Sequence, residues 1–294
     1  MSFPAAEGGV VAGLLEQRAR DVFRPLPKAL AGSVDAIHDL RVAARRLRVA
    51  LPLLARKPAG RRTERALQGL RALTRTAGAS RDLDVGLRLL EDRVRATAAP
   101  APELLLLRRR LRGARRRAKA AMVEALLDVE VAGLRRDLRA LAARTVTGAF
   151  AVLLRLRPRK DEEAAALAAE LGALGARFDP EALHGVRRRI RRLRYLGEVA
   201  GALRKRPFEA AAAFKDLQER LGRLHDLYVL SVWLGEEAAA AEARGALPVA
   251  EHARQHQAAL LAESQAVHAE WLGLGPAELV RRAVASLDDA RTAA

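Results

Sequence analysis

Two histidines, His38 and His184, each head the same ladder of arginines. Counted from the histidine, Arg stands at +3, +7, +8 and +10 and Leu at +9. The ladders are Arg41, Arg45, Arg46 and Arg48 with Leu47, then Arg187, Arg191, Arg192 and Arg194 with Leu193. On an α-helix His38, Arg41, Arg45 and Arg48 fall within a stripe about 80° wide and about 15 Å long, with Leu40, Ala44, Leu47 and Leu51 on the other side. A guanidinium offers a planar fork of N–H donors matched to phosphate or carboxylate oxygens, and imidazole adds a donor that strengthens on protonation. The chemistry such a row can do is to grip an anion rich in oxygens. Like charges three and four residues apart repel and weaken an isolated helix, a cost that a bound anion removes. The plainer reading is a solvated face whose arginines pair with acids on neighbouring helices. Two copies with one spacing, 146 residues apart, favour a shared ligand over that reading.

A second motif follows each ladder. Gly78, Arg81-Asp82-Leu83 and Val85 match Gly222, His225-Asp226-Leu227 and Val229 at an offset of 144. Asp82 and Asp226 have no partner carboxylate in sequence, so they read as structural supports that hold an Arg or His of the row, and no residue is assigned as catalytic. Gly78 and Gly222 read as sites of close helix packing. No second His or carboxylate sits at ligand spacing on the ladder face itself, and the arginines would repel a cation, so neither a metal nor a cofactor is expected. A third basic run, 108–119, holds eight Lys or Arg in twelve residues; its counterpart around Arg254 and His256 is far less basic. Arg112 and Arg115 are therefore at most auxiliary to the basic surface.

The elements that carry these residues are helical. Ala, Leu, Arg and Glu dominate and alternating β-branched or aromatic runs are almost absent. Apolar spacing of three and four predicts helices near 10–31, 35–56, 60–97, 102–144, 161–177, 180–203, 207–244 and 248–288, broken at Pro58-Ala59-Gly60, Pro100-Ala101-Pro102, Asp179-Pro180 and Arg206-Pro207. Two motifs recurring in one order half a chain apart indicate an internal duplication. The expectation is an all-α fold of two bundles of about four helices, 10–147 and 148–290, within one domain spanning 1–294.

The 294 residues carry a formal charge of +18, with 53 Lys and Arg against 35 Asp and Glu. That favours anionic partners without naming one. A GC-rich genome inflates Arg and Ala together, so placement carries more weight than number. Residues 1–147 hold 31 basic against 15 acidic groups and the remainder 22 against 20, which suggests a basic inner surface with acidic outer faces. Absence of Cys excludes disulfides, Cys-ligated metals and a thiol nucleophile. The N-terminus lacks a basic segment followed by an apolar core, and no apolar run approaches the ~18 residues of a membrane span. The expectation is a cytoplasmic protein without membrane insertion.

The His-x-x-Arg-x-x-x-Arg-Arg-x-Arg helix, followed by Gly-x-x-(Arg/His)-Asp-Leu whose Asp stands 42–44 residues after the His, with the pair duplicated, resembles the CHAD (conserved histidine α-helical) domain over roughly residues 10–290. The resemblance implies two four-helix bundles related by pseudo-twofold symmetry, with His and basic side chains lining a central cavity. It implies binding of inorganic polyphosphate, and localisation of some members to polyphosphate granules. Carried over by position, the ligands are His38, Arg41, Arg45, Arg46 and Arg48 with His184, Arg187, Arg191, Arg192 and Arg194. The second copy departs in having Gly185 where the first has Asp39, and in adding Arg188 and Arg189. Many relatives carry a fused CYTH triphosphatase domain, and its acidic Glu-x-Glu-x-Lys strand does not occur here, so catalysis is not implied.

Two alternatives use the same basic surface. An RNA- or DNA-binding protein explains the charge, but single-strand binders stack bases on aromatic rings, and Phe, Tyr and Trp total ten here. A phosphate-chain hydrolase would need clustered carboxylates to hold Mg²⁺, and none is evident.

Overall fold

The computed structural model describes residues 9–145, 147–206 and 211–288, and every element in it is helical. The helices are α1 (Val10–Phe23), α2 (Leu26–Leu30), α3 (Val34–Leu54), α4 (Arg61–Thr76), α5 (Gly78–Ala96), α6 (Pro102–Leu127), α7 (Val131–Ala143), α8 (Ala149–Leu174), α9 (Pro180–Arg204), α10 (Ala211–Glu242), α11 (Leu247–Gly273) and α12 (Pro276–Asp288).

The two ladder helices start alike. Ser33 caps α3 by accepting from the Ala36 amide, and Asp179 caps α9 by accepting from the Ala182 amide at 3.0 Å, with Pro180 pre-set for the first turn. Each cap lies five residues before its histidine, so helix phase and ladder register are fixed together.

Several long stretches break where local chemistry requires it. The 10–31 stretch parts before Pro25. The 60–97 stretch parts at Ala77, whereas the corresponding α10 runs unbroken. The 102–144 stretch parts at 128–130, and 248–288 parts at Gly275, whose φ of 62° and following Pro276 end one helix and start another. α8 begins at Ala149, well before the expected 161, and runs through Pro158. The proline removes the N–H that would reach the Leu154 carbonyl, and Leu154 lies on an exposed face where solvent can take that acceptor. The expected start at 207 lies outside the described residues.

α1, α3, α4 and α7 pack around one another, as do α8, α9, α10 and α12. α5 and α6, expected in the first bundle, pack together and lean on α10 and α11. The ladder helices α3 and α9 also touch each other. One apolar core runs from Val11 to Ala283 without division between the halves, and Ile37, Leu40, Leu47 and Leu51 of α3 and Val186, Ile190 and Leu193 of α9 face it. Arg155 of α8 donates to the Leu53 and Ala55 carbonyls at 3.1 and 2.8 Å, closing the C-terminal end of α3.

Leu47 has no solvent exposure and Leu127 is 70% exposed. Leu47→Ala is expected to lower stability by about 2–5 kcal/mol in chemical denaturation. Leu127→Ala should stay within about 0.5 kcal/mol of the parent.

Candidate functional site: a cavity lined by guanidinium groups

The ladders face each other across a cavity of about 730 Å³. α3 contributes His38, Arg41, Arg45 and Arg48; α9 contributes His184, Arg187, Arg188, Arg191 and Arg192. α4 adds Arg71 and Arg75, α5 adds Arg81 and Asp82, α8 adds Arg159 and Glu163, and α10 adds His225 and Asp226.

The side chains are held unequally. The Arg41 guanidinium is buried and donates to the Ala77 and Gly78 carbonyls at 2.5 and 2.7 Å, so it ties down the junction between α4 and α5. Arg48 donates to the Thr74 hydroxyl at 3.0 Å. In the second half a Cβ at Gly222 would stand 3.3 Å from Arg187 Nη2, and at Gly78 it would stand 3.9 Å from Arg41 Nη1. The neighbour that these glycines accommodate is a guanidinium, not another helix.

Arg45, Arg187, Arg188 and Arg191 have no hydrogen bond or direct ion pair among the described residues, and Arg81 Nη1 is buried without a partner. Outside the cavity many arginines are paired with acids. Arg46, Arg194 and Arg18 converge on Glu198; Arg62 and Arg65 share Asp137; Arg93 meets Glu263; Arg110 meets Glu237. The structure thus places Arg46 and Arg194 beside the cavity at the α1–α3–α9 contact rather than in its wall. Arg192 lines the cavity and also pairs with Glu163 at 2.9 Å. Arg112 pairs with Glu91 and Arg115 with the buried Asp84, both away from the cavity.

Charge crowding shows in the proton affinities. Burial, then the neighbouring Arg45, push Arg41 down to about 10. Burial, then Arg45 and Arg187, push Arg191 down to about 9. Both still carry charge at neutral pH. Burial also lowers Arg45, Arg48 and Arg187, and lowers His38 and His184 with help from adjacent arginines. His225 is pushed down to about 3 by burial, then by Arg187, His184 and Arg191. Burial raises the Asp226 carboxyl, against the pull of Arg187. Asp82 and Asp226 act on the arginines through space, chiefly on Arg41, Arg45 and Arg187, without a direct ion pair among the described residues.

Sequence spacing brought out the ladders but missed their companions. Arg81 and His225 share one place in the second motif, and a basic or imidazole group in both copies was the signal for them. Arg71 is matched by Lys215 at the same offset of 144, and Tyr195 follows Arg194 on the second ladder helix itself. Arg75 and Arg159 carry no such signal; only the packing of α4 and α8 brings them in. Among the described residues no helix is long and apolar enough to cross a membrane, and no group of three His, Cys, Asp or Glu could hold a metal ion.

An all-α scaffold whose two ladder helices line one cationic cavity defines the class of protein. Residues 13–235 match the CHAD domain family, and the chain belongs to that family. It is 31% identical over 228 residues to "Uncharacterized protein MT2285" of Mycobacterium tuberculosis strain CDC 1551 / Oshkosh, and equally to "Uncharacterized protein Rv2226" of strain ATCC 25618 / H37Rv. The aligned segment covers 73% of this chain and 43% of each relative, so the chain spans less than half their length. The crystal structure of the CHAD domain from the plant Ricinus communis superposes with a TM-score of 0.67 at 24% identity, covering 99% of this chain and 94% of that one, which establishes the shared fold.

The unequal tethering separates two kinds of arginine. Arg41→Ala removes two hydrogen bonds at the buried α4–α5 junction and should destabilise the protein by about 1–3 kcal/mol. Arg191→Ala removes an unpaired charge from a crowded wall and should stabilise the ligand-free protein by about 0.5–2 kcal/mol. Thermal unfolding at low ionic strength, without polyvalent anions, distinguishes the two.

Proposed function

We propose that the cavity binds inorganic polyphosphate and performs no chemical step on it. The observation that carries this reading is a concentration of free guanidiniums: Arg45, Arg187, Arg188 and Arg191 line one cavity without an acidic partner among the described residues, whereas helix-bridging arginines such as Arg46, Arg62, Arg93 and Arg110 each have one. Unpaired guanidiniums on two facing helices supply many N–H donors to an anion with repeating oxygens, and neutralising them removes their mutual repulsion. Membership of a family associated with polyphosphate-related proteins supports the same ligand. Among the described residues Tyr195 is the only Phe, Tyr or Trp in the wall, and the other rings there are the imidazoles of His38, His184 and His225, so large stacking surfaces for nucleobases are few. The wall carboxylates serve as counter-charges: Glu163 is shared by Arg189 and Arg192, while Asp82 and Asp226 act on Arg187. Association with polyphosphate granules would follow from such binding.

The test compares long-chain polyphosphate, single-stranded RNA and duplex DNA at matched ionic strength. Polyphosphate should bind most tightly, with affinity falling as salt rises because counterion release is lost. Equal or tighter binding of RNA overturns the reading, and shortening of the polymer in the presence of Mg²⁺ overturns its non-catalytic part. Changing Arg45, Arg187, Arg188 and Arg191 to Gln should weaken polyphosphate binding far more than changing Arg109, Arg112, Arg116 and Arg117 on the outer face of α6. Equal losses would move the site out of the cavity.

A further inference from the structure

The two ends of the cavity are built from different donors. In the first half His38 is accompanied by Arg81; in the second, the place of Arg81 is taken by His225, and His184 Nδ1 lies 3.3 Å from His225 Nδ1 with ring centroids 4.4 Å apart. Two nitrogens at that distance share one proton, donated by one ring and accepted by the other. If both rings are neutral, the donating ring has a bare Nε2, whereas the accepting ring carries N–H at Nε2. With each Nδ1 engaged by the other ring, Nε2 is the ring nitrogen left for a ligand on each of these cavity-lining residues, and the neutral pair offers it one donor and one lone pair.

An internal phosphate of a polyphosphate chain is an acceptor only, so a bare Nε2 meets it lone pair to lone pair. Adding one proton makes both Nε2 atoms donors and keeps the Nδ1–H···Nδ1 bond. A second proton would break that bond. Hydrogen-bond complementarity therefore calls for one proton, no more and no fewer. We propose that His184 and His225 form a proton-taking subsite, which binds a phosphate group of a polyphosphate chain together with one proton from solvent. This inference rests on the polyphosphate reading of the cavity.

The surroundings fit. In the free protein Arg187, Arg188 and Arg191 on α9 work against protonation of His184, opposed by Glu181, and His225, held down to about 3, is empty of extra charge across the neutral range. Asp226 adjoins His225 on α10; α5 brings Arg81 and Asp82 to the wall, α3 brings Arg41 and Arg45, and α8 brings Arg159 and Glu163. The acids that α11 turns to α10 are occupied elsewhere, Glu263 by Arg223 and Glu270 by Arg220, and Glu278 of α12 is held by Arg281 and Arg282. An anion in the cavity offsets the arginines' effect on the pair and lets the proton enter. At the other end Arg81 is permanently charged and needs none.

The experiment is calorimetric titration with long-chain polyphosphate, in which chain ends are a negligible fraction, in buffers of differing ionisation heat between pH 6 and 8. The expected result is uptake of about one proton more per occupied site than in His225→Arg, with affinity rising up to about tenfold per pH unit of acidification from this pair. His225→Arg should bind with the extra uptake gone, as should His225→Gln, which stays neutral and is the check if the Arg variant misfolds. Equal uptake in parent and variants, or none in the parent, overturns the inference while leaving polyphosphate binding intact. Failure of the parent to bind polyphosphate at any pH overturns both.

Discussion

Repulsion among guanidinium groups is the constraint around which this molecule is arranged. Arg41, Arg45, Arg187 and Arg191 lower one another's proton affinity because they are drawn out of water and into each other's field. Such a cluster persists only if the rest of the fold overdetermines it. The apolar faces of α3 and α9 do so by burying Leu47, Leu51, Ile190 and Leu193 in one continuous core, which leaves the basic faces no other place to go. The strain is partly relieved from within, by the Ala77 and Gly78 carbonyls on Arg41 and by Asp82 and Asp226 at a distance. The remainder is what a polyanion would discharge.

The same residue type therefore does two jobs. On the outside, Arg46, Arg62, Arg93 and Arg110 tie helices together through Glu198, Asp137, Glu263 and Glu237. Inside, Arg45, Arg187, Arg188 and Arg191 have no hydrogen bond or ion pair among the described residues. An abundance of arginine that composition alone ascribes to genome bias becomes informative once each guanidinium is traced to its partner.

Much of this was legible in the sequence because helices carry their own ruler. Periodicity gave an all-α fold, and the ladder spacing placed His38, Arg41, Arg45 and Arg48 on one stripe, which is where the cavity wall runs. Spacing cannot tell the centre of a stripe from its edge. Arg46 and Arg194, one notch around the helix, turn to Glu198 instead. Nor does it show which helix end will need a cap, so Arg41 was read as a ligand without its hold on α4, and Gly222 as a helix contact instead of space for Arg187. The breaks at Ala77 and Asp128 have no proline to announce them, and α8 runs through Pro158 without breaking. Partners distant in sequence, such as Arg75 and Arg159, become visible only after the chain has packed.

The grip of Arg155 on the last carbonyls of α3 has a consequence for how the chain reaches its native state. Donor and acceptors lie 102 and 100 residues apart, and the core it seals draws on both halves. A nascent first half leaving the ribosome has helices but an uncapped α3, an unfinished core and a row of exposed arginines. Closure waits for the second half, so folding is late, non-local and comparatively slow. During that interval the emerging chain is a cationic, half-open surface in a cell rich in RNA, and its safety depends on how soon α8 arrives.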